Sequence, residues 1–226
     1  MSDRFRVYLE MGSKKTFASA LDWPGWSRSG KDADGALEAL LTSAARYGRA
    51  VAQVTDFPAP DEAPGFEVVE RLKGGGATDF GVPSQPARSD DDALGEAELE
   101  RLVAILRACW SAFDRAAGKA DGVELRKGPR GGGRDLAKMT EHVVGAEESY
   151  LRQLGARPVA RGDESAADGW PAHREAIVQT LRLRARGDEP ENATKVKTRW
   201  SPRYFVRRAA WHVLDHAWEM RDKSLA

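Results

Sequence analysis

The sequence predicts an α+β fold in which a small α+β unit precedes a bundle of four helices. Apolar and polar residues alternate through much of the first part of the chain, as in strands. A stretch rich in glycine and proline, 74–89, then interrupts the pattern and is predicted to be a linker. Beyond it, apolar residues recur every three or four positions, which is the spacing of amphipathic helices. We therefore expect two domains, at residues 1–85 and 90–226.

The first unit is predicted to contain strands and one helix. Strands are expected at residues 5–10, 16–21 and 66–72. The run Asp22-Trp23-Pro24-Gly25-Trp26 indicates a tight turn, because proline fixes φ and glycine allows a positive φ. A helix is predicted from Asp34 to Ala50, with Asp32 or Asp34 as its N-cap.

The second unit is predicted to be entirely helical. Its helices are expected from Gly95 to Ala117, from Asp135 to Leu154, from Asp168 to Gly187, and from Ser201 through Met220. Each carries an apolar stripe, and Ser201 followed by Pro202 is a typical N-cap with proline at the first helical position. Four amphipathic helices in succession favour a four-helix bundle.

Composition excludes some classes of protein. The chain has 35 basic and 35 acidic residues, and this zero net charge argues against a general nucleic-acid binder. It has one cysteine, Cys109, which excludes an intrachain disulfide and is predicted to be a core thiol rather than a nucleophile. No signal core or membrane span is visible. We expect a cytoplasmic protein that binds a small-molecule substrate, with no nucleic-acid or membrane partner, and a homodimer is the assembly considered.

Histidines are the main candidates for function. His212 and His216 are four residues apart on the predicted last helix, so one face carries both imidazoles, in the same sector as apolar residues. Buried neutral imidazoles need partners for their ring nitrogens, and a metal ion would satisfy them. His142 on the second helix can complete a three-histidine site with open coordination positions. The alternative is a capped or solvated pair that arose by chance.

Other polar residues are candidates for supporting roles. Asp215 and Glu219 are close enough in sequence to accept the remaining ring N–H groups. His173 either lines the same cavity or bonds a loop carbonyl. Arg207 and Arg208 precede His212 by about one turn, and one of them either pairs with a substrate carboxylate or lies on a solvated face.

Residues 90–226 resemble the DinB-like (DinB/YfiT) metalloenzyme superfamily. The matching segments are Asp135-Leu136-Ala137-Lys138-Met139-Thr140-Glu141-His142 and His212-Val213-Leu214-Asp215-His216. The resemblance implies a four-helix bundle in which His142, His212 and His216 bind one divalent metal ion, for which we expect zinc or nickel. Relatives with a known role are transferases and isomerases that use mycothiol, bacillithiol or glutathione. The resemblance therefore implies a metal-dependent enzyme acting with a low-molecular-weight thiol. The alternatives are a metal-dependent hydrolase and a non-catalytic, metal-binding regulatory protein.

The first unit is similar to HicB-like domains. The similarity lies in residues 20–30, with the Asp22-Trp23-Pro24-Gly25 turn, and in the helix that contains Glu38-Ala39-Leu40. It implies the order strand, turn, strand and helix. HicB proteins are usually antitoxins that pair with an RNA-cleaving partner, but the DNA-binding extension they often carry is not visible here. We expect the unit to be a lid, a dimerisation surface, a scaffold or a partner-binding module.

Overall fold

A computed structural model describes residues 4–58, 65–126, 135–158 and 170–224. Within these ranges it contains one four-stranded sheet and six α-helices, which confirms the predicted α+β class. The strands are β1 (Phe5–Met11), β2 (Thr16–Ala20), β3 (Ser27–Gly30) and β4 (Phe66–Lys73). The helices are α1 (Ala33–Val51), α2 (Gly76–Phe80), α3 (Glu96–Ala120), α4 (Leu136–Leu154), α5 (Trp170–Ala185) and α6 (Pro202–Lys223). None of these helices is both long and apolar enough to cross a bilayer.

The sheet is mixed, with the strand order β3-β2-β1-β4. The pairs β1–β2 and β2–β3 are antiparallel, whereas β1 and β4 are parallel. Periodicity alone did not predict β3, because its four residues have no apolar alternation, although the resemblance to HicB-like domains implied a strand there. Helix α1 begins at the predicted N-cap: the Asp32 carboxylate accepts a 2.9 Å hydrogen bond from the Gly35 backbone.

The stretch predicted as a linker is folded against the sheet. It contains α2 and the start of a short 3₁₀ helix (Arg88–Asp91). The carboxylate of Glu10, fully buried on β1, accepts backbone hydrogen bonds from Ser84 at 2.8 Å and Gln85 at 3.0 Å, and a hydroxyl hydrogen bond from Thr78. Composition indicated a break between units. It did not indicate that a buried carboxylate on a strand distant in sequence would bind this segment to the sheet.

Helices α3 to α6 pack together, and each contacts the other three. The apolar stripe predicted for α3 is buried along its length. Helix α4 ends where predicted, at Gly155, whose φ is 117°. The predicted start of the third helix at Asp168 lies outside the described residues.

Helix α6 is covered by both parts of the chain. Its Trp211 packs edge-on against Phe17 of β2, with ring centroids 6.1 Å apart. Its Asp215 pairs with Arg28 of β3 at 3.0 Å. A single cluster of buried apolar residues extends from the sheet through α1 into the four long helices. The division into domains at 1–85 and 90–226 remains a prediction, and the structure shows that these segments pack against each other along α6.

Candidate metal centre

Helices α4 and α6 bring three of the four histidines together. One ring nitrogen each of His142, His212 and His216 lies within 4.8 Å of the others. The Nε2 atoms of His142 and His212 are 3.3 Å apart. His212 and His216 are 7% and 8% exposed, and His142 is half-buried. The predicted inward orientation of the α6 pair is therefore confirmed, and α4 lies beside α6 at the height of these residues.

Local sequence fixes the registers that make this meeting possible. Helix α6 begins after Ser201, whose hydroxyl accepts from the Tyr204 backbone, and Pro202 occupies the first turn. Helix α4 begins after Asp135, whose carboxylate accepts a 2.8 Å hydrogen bond from the Lys138 backbone. The Asp135 side chain is exposed, and this hydrogen bond lowers the pKa of its carboxyl group. Each helix therefore has a defined first residue, and the facing positions follow from the helical repeat.

Glu219 orients one of the three rings. Its carboxylate accepts a 2.9 Å hydrogen bond from Nδ1 of His216, and it also pairs with Lys223. The hydrogen bond from His216, followed by that from Lys223, lowers the pKa of Glu219 to about 2. The carboxylate fixes the tautomer of His216 that carries its proton on Nδ1, so Nε2 retains its lone pair. This is the supporting role that the sequence analysis assigned to Glu219 as one of two candidates.

Asp215, the other candidate, has a different contact. Its carboxylate pairs with Arg28, whose guanidinium also lies 3.9 Å from the Trp218 ring centroid. Burial lowers the pKa of Arg28, and the carboxylate of Asp215 opposes that effect. Asp215 therefore attaches the sheet to α6 one residue before His216, and no hydrogen bond to a histidine ring is seen for it in the described structure.

His173 and Cys109 lie outside the histidine cluster. His173 is 5% exposed on α5 and does not belong to the three-histidine group that the described residues form. Cys109 is fully buried in α3, and burial raises the pKa of its thiol. The prediction that Cys109 is a core thiol is confirmed, because a buried thiol with a raised pKa is a poor nucleophile.

Two aromatic rings and one guanidinium lie beside the histidines. The ring centroids of Tyr150 and Trp211 lie 5.7 Å and 6.1 Å from that of His212. The guanidinium of Arg208 lies 5.0 Å from the Tyr150 ring and 4.7 Å from the Trp211 ring. Burial raises the pKa of Tyr150. Tyr150 was not among the functional candidates drawn from the sequence. Its position eight residues after His142, two turns along one face, was the available signal.

The donor set fits a borderline divalent ion. Three neutral imidazoles are the ligands of many catalytic zinc sites, and imidazole also suits nickel. Among the described residues, no carboxylate or thiol joins this group. An ion held by these three rings would keep coordination positions that an exogenous ligand can take.

Comparisons with known proteins returned no matching protein-family model, curated protein or solved structure.

Proposed function

We propose that this protein is a divalent-metal-dependent enzyme that acts with a low-molecular-weight thiol, as a transferase or isomerase of the mycothiol-dependent type. The observation that carries the proposal is the convergence of three imidazoles from two helices, with ring nitrogens within 4.8 Å. The resemblance of the histidine segments to the DinB-like superfamily supplies the class of reaction. Zinc and nickel are the ions we expect, because both suit imidazole ligands.

The chain's own residues favour an ion at this position. Protonation of all three rings would place like charges close together in a poorly hydrated site, which is costly. Neutral rings with converging nitrogens also cannot all donate to one another, because each neutral imidazole has only one N–H. The Glu219 carboxylate accepts a hydrogen bond from Nδ1–H of His216, which leaves its Nε2 available. A cation that accepts one lone pair from each ring satisfies this arrangement.

A divalent ion held by neutral imidazoles lowers the pKa of a thiol that binds to it, so a thiolate becomes available near neutral pH. The protein residues would orient the reactants and shape the pocket. The Tyr150 ring lies beside His212, and burial raises the pKa of its hydroxyl. Cys109 is fully buried in α3, so the thiol must come from a small molecule.

The first experiment measures metal content. The purified protein should bind about one zinc or nickel ion per chain, and His142→Ala, His212→Ala and His216→Ala should each remove most of it. His173→Ala is the matched control, because His173 lies outside the cluster, and it should retain the ion. Full occupancy in all three cluster variants would show that the metal site is wrongly assigned.

The second experiment tests the thiol. Mycothiol, bacillithiol or glutathione added to the cobalt-substituted protein should produce a sulfur-to-cobalt charge-transfer band in the near ultraviolet. The His212→Ala variant should lack it. A protein that binds cobalt but shows no band with any of these thiols would favour a metal-dependent hydrolase or a non-catalytic metal-binding protein.

A further inference from the structure

The histidines of α6 belong to a longer row of functional side chains. Tyr204, Arg208, His212 and His216 follow one another at intervals of four residues, so they lie along one face of the helix. Arg208 is one turn, or roughly 6 Å of helix axis, before His212. Tyr150 of α4 contacts both Arg208 and His212 through its ring. The histidine cluster and Arg208 are therefore parts of one continuous surface between α4 and α6.

Arg208 differs from the arginines beside it on the helix. Arg203 pairs with Glu98, and Arg207 pairs with Asp90 at 2.7 Å. Within the part of the chain that the structure describes, Arg208 makes no ion pair. Its guanidinium lies instead against the rings of Tyr150 and Trp211, and it also interacts with the Tyr150 hydroxyl, whose pKa it lowers against the effect of burial. A half-buried arginine with aromatic neighbours and no carboxylate keeps its charge available for an anionic ligand.

Two enclosed donors lie at this position without an acceptor among the described residues. They are Nη1 of Arg208 and Nε1 of Trp211. Trp211 is 5% exposed, so its indole N–H is almost fully withdrawn from bulk water. An enclosed donor with no acceptor destabilises the fold, and does so more when the donor is charged. A carboxylate is a suitable acceptor for either donor, since it is negatively charged and each of its oxygens accepts hydrogen bonds.

We propose that Arg208, assisted by Nε1 of Trp211, binds the carboxylate of a small molecule whose other end binds at the histidine cluster. The inference deepens the proposed function and rests on it, because it needs the metal end of the ligand. It assigns the ligand to a chemical class: a small carboxylate with a metal-binding group, such as a thiol, about one helical turn away. The alternative is that Arg208 only stacks on its aromatic neighbours for stability.

The test is calorimetric titration of the zinc-loaded protein with mercaptopropionate and with its methyl ester, which keeps the thiol and removes the charge. The wild type should bind the acid about ten- to a hundred-fold more tightly than the ester, which corresponds to a charged hydrogen bond of about 1.5–3 kcal/mol. Arg208→Met should remove the preference, and Trp211→Phe should reduce it. Arg221→Met is the matched control, because Arg221 is an exposed arginine of the same helix.

The outcomes separate this inference from the proposed function. Zinc content is measured first on every sample, and a wild type without zinc would overturn the proposed function and the carboxylate site with it. Zinc-loaded protein that binds acid and ester equally, or an Arg208→Met variant that keeps the preference, would overturn the carboxylate site alone. Succinate and its monomethyl ester repeat the comparison without a thiol. An Arg208-dependent preference there, with no thiolate band, would support the carboxylate site and reject the thiol chemistry.

Discussion

The substitution Gly25→Ala tests how closely the first unit packs against the helix that carries two of the histidines. Gly25 lies in the turn between β2 and β3 and has a φ of 92°. A Cβ atom there would lie 3.0 Å from Cδ1 of Leu214 and 3.2 Å from Cβ of Ala210. These two α6 residues lie on either side of His212 in sequence, so the turn packs closely against the helix at the level of the histidine cluster.

Two effects of this substitution lower the free energy of unfolding, and a smaller effect raises it. A left-handed backbone costs an L residue about 1–2 kcal/mol. Forcing a methyl group into a packed contact costs about 1–3 kcal/mol. The reduced freedom of the unfolded chain returns about 0.4–1 kcal/mol. We therefore expect Gly25→Ala to lower the free energy of unfolding by about 2–4 kcal/mol.

Urea unfolding followed by circular dichroism measures this loss. Gly122→Ala is the matched control, because Gly122 also has a positive φ, 70°, but no described atom lies within 4 Å of its Cβ position. It should show the backbone cost alone, about 1 kcal/mol. The difference between the two variants isolates the contact with α6. If Gly25→Ala is no more destabilising than Gly122→Ala, the turn does not press on the helix as the structure indicates.

Two further substitutions test buried charges. Glu147, fully buried, accepts hydrogen bonds from two indole N–H groups, so Glu147→Gln should cost about 1–3 kcal/mol. Burial raises the pKa of Glu147, so the stability advantage of the wild type over the variant should be fully present below the unfolded pKa of about 4.3 and decline as pH rises through the folded pKa. Urea unfolding of both proteins across this pH range measures the advantage. A difference in stability that does not change with pH would contradict the prediction. Asp90→Asn should lower the free energy of unfolding by about 3 kcal/mol, because it leaves buried Arg207 without its counter-charge. Asp222→Asn changes an exposed ion pair with Arg46 and should lower it by less than about 1 kcal/mol. Equal losses in thermal unfolding would refute this contrast.

Much of the secondary structure could be predicted from the sequence because its causes are local. The apolar stripe of α3 follows from the helical repeat, and the starts of α1 and α6 follow from Asp32 and Ser201. Even so, α3 continues to Ala120, three residues past the predicted end, because packing of the last turn outweighs the low helix propensity of Gly118.

The site was predictable in part for the same reason. His212 and His216 share a face because they are four residues apart on one helix, and no tertiary contact is needed for that. The burial of that face could be inferred from its apolar neighbours. Closeness in sequence to His216 made Glu219 a candidate, but it equally favoured Asp215. Only the side-chain positions distinguish the two.

Tertiary structure decided everything that depends on which elements become neighbours. No local pattern indicates that α4 lies beside α6 at the height that brings His142 within 3.3 Å of His212. Nor does any indicate that the Tyr150 and Trp211 rings lie against Arg208, or that Glu10 binds the segment that links the two units. Periodicity fixes which face of an element is apolar, because it reflects the geometry of one chain segment. The partner of that face is chosen by the packing of all segments into one core, and the polar groups buried there take whichever partners that packing provides.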